Sequence, residues 1–167
     1  DQTALWLAGL LEETHELTAE PDVEAEVLAL YRSIPDESAY VVSARLSESN
    51  IFFDQDRDDV AIGILERLAE EHPSYYTREA LGRARFFREN WEEALPFYDA
   101  LVESLSEEEL AANPQPLRLR AIIYERLDRW SEAEADFKRV LSFAPDDADT
   151  LNYLGYTWVD RGENLEE

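Results

Sequence analysis

Residues 54–66 read DQDRDDVAIGILE, with Asp54, Asp56 and Asp58 at alternate positions ahead of an apolar run. Carboxylates spaced in this way can turn several oxygens toward one hard cation, and a calcium loop of the EF-hand kind begins almost like this. A twelve-residue loop starting at Asp54 needs glycine at its sixth place for the sharp turn and a bidentate glutamate at its twelfth. The chain has Asp59 and Leu65 there. The turn would be strained and the cage would lack two oxygens. The plainer reading is that these carboxylates open a helix, where they accept from free backbone N–H groups and favour the positive end of the helix dipole. Asp146-Asp147-Ala148-Asp149, just after Pro145, reads as the same device. No metal and no other cofactor is expected.

Other reactive constellations are thin. The two histidines, His15 and His72, lie far apart in sequence, and neither falls in a triad pattern with serine and carboxylate. They read as helix-end residues. The absence of cysteine excludes disulfides, a thiol nucleophile and thiolate metal sites. Five scattered glycines make no phosphate loop. Glu107-Glu108-Glu109 reads as a solvated helix face rather than as acid–base machinery. No enzyme is expected.

The chain has 167 residues, enough for one domain or one array of repeats, and 45% apolar residues argue against disorder. No stretch approaches the ~18 uninterrupted apolar residues of a membrane helix, and no basic-then-apolar leader opens the sequence. The chain begins at Asp1 and contains no methionine, so a piece of a longer protein, or a processed one, is expected. A formal charge of −24 repels nucleic acid and anionic lipid. The charge is uneven: residues 78–129 carry 8 basic and 11 acidic side chains, whereas residues 1–77 carry 4 and 18.

Apolar residues recur at spacings of three and four, as in Leu81, Ala84 and Phe87, or Ala94, Phe97, Tyr98 and Leu101. Period-two alternation is missing, so helices and no sheet are expected. Pro21, Pro35, Pro73, Pro114, Pro116 and Pro145 mark the breaks. Pro96 falls early in the helix opened by Trp91, where a slight kink is expected.

The helices repeat. Leu117, Ala121 and Tyr124 recur 34 residues later as Leu151, Gly155 and Trp158, and Trp130 recurs as Leu165 at a distance of 35, with the extra residue in Gly162-Glu163-Asn164. Ala61, Ala94 and Ala133 follow at spacings of 33 and 39, the longer one coming from ESLSEEELAANP at 103–114, which lengthens a helix or its loop. Trp91 and Trp130 share one repeat position and so read as packing residues rather than a sugar platform.

On these residues the sequence resembles the tetratricopeptide repeat, a 34-residue unit of two antiparallel helices, A and B. The match is firmest over 75–162 and fades to Phe52, Ala61, Leu65, Leu68 and Pro73 in a second unit and Leu5, Gly9, Ala25, Leu28 and Tyr31 in a first. The resemblance implies an all-α superhelix of about four and a half helix pairs, with two divergent pairs in 1–74 and clearer units in 75–167, forming one continuous repeat domain. A last helix without its B partner should pack only on the preceding pair and keep an exposed apolar side. RLDRWSEAEADFKRVLSFAPDDADTLNYLGYTWVDRGENLEE further resembles proteobacterial multi-repeat proteins of the cell envelope, many of them lipoproteins. That implies an adaptor in the envelope or periplasm, with the cytoplasm as the alternative.

In this repeat helix A lines the concave groove. The resemblance places Tyr76, Arg83 and Phe86 there in the third unit, Arg118, Ile122 and Arg126 in the fourth, and Asn152 and Tyr156 in the fifth. Phe87 fits the apolar stripe. Arginine forks carboxylates, asparagine bonds a peptide backbone, and aromatics bury area at low entropic cost. A protein or peptide partner is implied, an extended segment or a chain-terminal carboxylate among them. The alternative is that the arginines merely pair with Glu79, Glu89, Glu125 and Asp128. Rival functions are homo-oligomerisation and service as an accessory domain of a larger enzyme.

Overall fold

The computed structural model describes residues 1–15 and 17–161. The expected turn at Gly162-Glu163-Asn164 and the repeat position Leu165 lie outside them. Among the described residues there are ten α-helices, one 3-10 turn at Leu17–Ala19 and no strand. The helices are α1 (Gln2–Thr14), α2 (Pro21–Arg32), α3 (Val41–Asp54), α4 (Asp58–Glu71), α5 (Tyr75–Phe87), α6 (Trp91–Ser104), α7 (Glu107–Ala112), α8 (Gln115–Arg126), α9 (Trp130–Phe143) and α10 (Ala148–Arg161). Helices α1 and α2, α3 and α4, and α8 and α9 pack as consecutive pairs. The weak first and second units of the sequence do form such pairs.

One turn recurs between helices A and B. Asp56, Glu89 and Asp128 have positive φ, at 56°, 60° and 56°. In each case the next N–H reaches five residues back: Arg57 to Phe52 at 2.9 Å, Asn90 to Arg85 at 2.8 Å, and Arg129 to Tyr124 at 2.8 Å. This is the Schellman closure, which satisfies carbonyls left open at a helix end. The guanidinium groups of Arg57 and Arg129 then lie 4.5 Å from the ring centres of Phe52 and Tyr124. Asp56 belongs to this turn and Asp58 is the first residue of α4. From Asp58 onward, the positions that an EF-hand loop would wrap around an ion are therefore helix.

The contacts gather into two compact units, Asp1–Ala84 and Arg85–Glu167, dividing within α5. The first has its own core, built on Ala8, Val27, Tyr31, Val41, Phe52 and Ala61. In the second, Ala94, Tyr98, Ala121, Trp130, Phe137 and Leu154 form one cluster, and Val102, Leu110, Leu117 and Val140 another. Residues 103–114 do not simply extend a helix: they contain α7. Ser106 Oγ accepts from the Glu109 N–H at 3.3 Å, and the Glu109 carboxylate accepts from the Ser106 N–H at 2.8 Å, closing a capping box. The Ser106 N–H, and then the Ser106 hydroxyl, which donates to the same carboxylate at 2.7 Å, hold the Glu109 carboxyl below its ordinary range. Leu110 is fully buried and pins the short helix. Pro96 lies inside α6, which continues through it.

Two polar groups are drawn into the first core. Glu48 is buried between Arg32, at 2.6 Å, and Arg45, at 3.6 Å. The Tyr31 hydroxyl donates to Glu12. Burial, and then this bond, push the Tyr31 hydroxyl up to about 12. Burial also raises the Glu12 carboxyl; Tyr31 opposes the rise and the charge of Asp54 adds to it.

Two predictions follow from this packing. A left-handed conformation costs a side-chain-bearing residue about 1–2 kcal/mol, and aspartate bears it better than glutamate. Glu89→Gly should therefore raise the unfolding free energy by about 1 kcal/mol in urea titration, and Asp128→Gly by less. Because the Glu12 pKa is raised on folding, its contribution is fully present below the ordinary carboxylate pKa and is lost as pH rises through the folded value. Glu12→Gln should thus be more stable than the parent at pH 7, the difference vanishing in acid; thermal unfolding across pH checks this.

Candidate protein-interaction site

The eight expected groove residues divide between the two units. Tyr76 and Arg83 lie on α5 within Asp1–Ala84, and the other six lie in Arg85–Glu167. Tyr76 is 72% exposed and stands edge-on to Tyr75, with ring centres 5.9 Å apart. Arg83 is also exposed.

The two phenylalanines are exchanged relative to expectation. Phe86 packs edge-on to Trp91 and Tyr98, at 5.3 and 5.9 Å between centres, while Phe87 is 68% exposed. The reason is helical phase. Phe86 follows buried Gly82 by four residues and shares its side, whereas Phe87 follows exposed Arg83. Ile122 is likewise not a groove residue. It is 7% exposed and belongs to the core cluster, because α8 is packed on both α6 and α9.

The arginines of the second unit are already partnered. Arg118 donates to both carboxylate oxygens of Asp147, at 3.1 and 2.9 Å, and lies 3.6 Å from Asp149. Arg126 lies 3.4 Å from Glu125, one of the partners expected from sequence. Asp147 also accepts from the Thr150 N–H at 2.8 Å, so it caps α10 as expected of this run. The adjacent Thr150, through its side chain and its backbone N–H, and then the Arg118 guanidinium hold the Asp147 carboxyl below the ordinary range against the opposing effect of burial.

Helix α10 presents Asp149, Asn152, Tyr156 and Val159 along one stripe, all exposed, at spacings of three and four. Its other side packs on α9: Tyr153 stacks on Phe137 at 5.9 Å between centres, and the Trp158 indole N–H donates to Glu134 at 2.9 Å. Leu151 stays exposed, whereas its counterpart Leu117 on α8 is fully buried.

Arg120 was invisible to pattern reasoning. It donates to both oxygens of Asp136, at 2.7 and 2.9 Å, and to Asp99 at 3.3 Å, while the Tyr124 hydroxyl donates to Asp99 at 2.8 Å. Burial opposes the charge of Arg120, but the carboxylates outweigh it and raise its pKa further. The only sequence signal was a charge inside each apolar stripe, Asp99 beside Tyr98 and Asp136 beside Phe137. The network is closed and holds α6, α8 and α9 together.

Little else suggests chemistry. His15 and His72 each sit at the C-terminal cap of a helix, His15 at 3.0 Å from Glu20. Trp91 and Trp130 pack into one cluster. Among the described residues, no three His, Asp or Glu side chains meet as a metal site would need, and no helix is long and apolar enough to cross a membrane.

Comparison with known proteins agrees with this architecture. No family model matches the chain. It is 28% identical over 121 residues to the TPR repeat-containing protein PA4667 of Pseudomonas aeruginosa, a match covering 71% of this chain and 20% of that relative. Among solved structures, MamA from MSR-1 superposes with a TM-score of 0.63 at 18% identity, over 95% of this chain and 89% of that one. MamA from AMB-1 gives a TM-score of 0.61 at 19% identity, over 89% and 79%. The fold is therefore an all-α array of helix pairs of the tetratricopeptide type.

Asp147→Ala should destabilise the chain by about 1 kcal/mol at neutral pH through loss of the cap. The depressed carboxyl stabilises above the ordinary range and loses that effect as pH falls through the lower folded value. The penalty should therefore fade in acid, which denaturant titrations at several pH values would show.

Proposed function

We propose that this tetratricopeptide-type chain is a non-catalytic protein-binding module, a scaffold or adaptor that takes its partner on the outward faces of its A helices. The observation that carries the reading is the exposure of large aromatic side chains on two such helices: Tyr76 at 72% on α5 and Tyr156 at 75% on α10. Solvated aromatics gain most from desolvation by a partner. Arg83 accompanies Tyr76, and Asn152 accompanies Tyr156, supplying polar groups for orientation. Arg118 supports the α10 face through Asp147 and Asp149. The likeness of residues 126–167 to envelope multi-repeat proteins adds a compartment to the proposal, with cell fractionation as its test.

A second reading is self-assembly, favoured by Trp6, which is 66% exposed on α1. The high negative charge opposes it. Affinity capture from the source's lysate with the parent chain, Tyr76→Ala/Arg83→Ala and Asn152→Ala/Tyr156→Ala tests the main reading. A partner lost with one double variant locates the site on that helix. A partner kept by both moves binding elsewhere, and concentration-dependent mass in light scattering would favour self-assembly.

A further inference from the structure

The charge that the α8–α10 face offers to a ligand is opposite to the one its arginines suggest. Arg118 is only 22% exposed at its side chain and its partner Asp147 only 19%, whereas Asp149 is 74% exposed. One cation thus faces two carboxylates, and the accessible charge is negative. Arg118 meets both carboxylates through its Nη1 alone, so a carboxylate from outside need not displace Asp147, but it would be the third around one guanidinium and would be repelled by both Asp147 and Asp149. Arg126, the other arginine of this unit that was expected in the groove, is 52% exposed at its side chain but lies 3.4 Å from Glu125, so the pair adds no net positive charge to this face. A basic ligand meets no such obstacle. It can approach Asp149 without displacing Arg118 from Asp147, while Tyr156 and Val159, at 75% and 64% exposure, offer apolar area on the same stripe. The formal charge of −24 attracts cations over longer range.

We propose that the stripe Asp149, Asn152, Tyr156 and Val159 docks a partner segment carrying lysine or arginine beside an apolar anchor, and not an acidic segment or a chain-terminal carboxylate. This rests on the reading of α10 as a binding face. The partner's cation pairs with Asp149, its backbone bonds Asn152, and its anchor lies against Tyr156 and Val159.

The test uses the full chain and three synthetic peptides with one shared apolar core. One has Lys/Arg flanks and an amidated end, one has Glu flanks and an amidated end, and one has Glu flanks and a free carboxylate. Fluorescence anisotropy is read at low and high salt. The basic peptide should bind about tenfold more tightly than the others at low salt, with the margin narrowing as salt screens it. Asp149→Lys, at an exposed site, should abolish the preference, and Tyr156→Ala should weaken every peptide. Equal binding of all three, or tighter binding of an acidic one, overturns this inference and leaves the binding face standing. No binding at millimolar peptide, or binding indifferent to Tyr156→Ala, overturns both.

Discussion

The pairs α3–α4 and α8–α9 each close on an alanine, Ala61 and Ala133. Ala61, Ala94 and Ala133 are wholly buried, five residues beyond the left-handed residue of their turns. Helix axes can approach to about 8 Å only where the facing side chains are small. A larger residue there would hold the helices apart and loosen the packing of every side chain beyond it. The turn serves this contact: a single left-handed residue reverses the chain within three residues, so helix B starts at Asp58 or Trp130 and brings its alanine to the crossing. Phe52, Tyr98, Phe137 and their neighbours then fill the space between helices.

Apolar packing alone tolerates sliding of one helix along another, and the buried charges oppose this. Arg120 is matched to Asp136 by a two-pronged bond and to Asp99 by a third, and Glu48 sits between Arg32 and Arg45. Displacement by one helical turn would leave Arg120, Asp136 and Glu48 unpaired away from water, a penalty larger than the small net gain from forming such pairs. Their contribution is to alignment more than to stability.

Much of the architecture was legible because it depends on short-range pattern. The spacing of Ala61, Ala94 and Ala133, the aromatic openings at Trp91 and Trp130, and the proline breaks each follow from local rules. Capping by Asp147 was legible for the same reason. The site was less so. Choosing between Phe86 and Phe87 required the helix phase to within one residue, and the spacing of Leu81, Ala84 and Phe87 pointed to the wrong row. Ile122 looked available because sequence does not say that α8 is covered on two sides. The bond from Arg118 to Asp147 spans 29 positions, and no local pattern announces it.

Helix α7 shows where this architecture admits extra chain. The additional residues enter between a B helix and the following A helix, fold into a self-capped turn of their own and anchor through Leu110, while the A–B turn at Asp128 keeps the geometry of those at Asp56 and Glu89. The A–B turns are stiff joints and the B–A connections are expansion joints. A foreign loop or tag grafted between Leu105 and Asn113 would therefore disturb Leu110 and its neighbours but leave the alanine crossing of the α8–α9 pair in register.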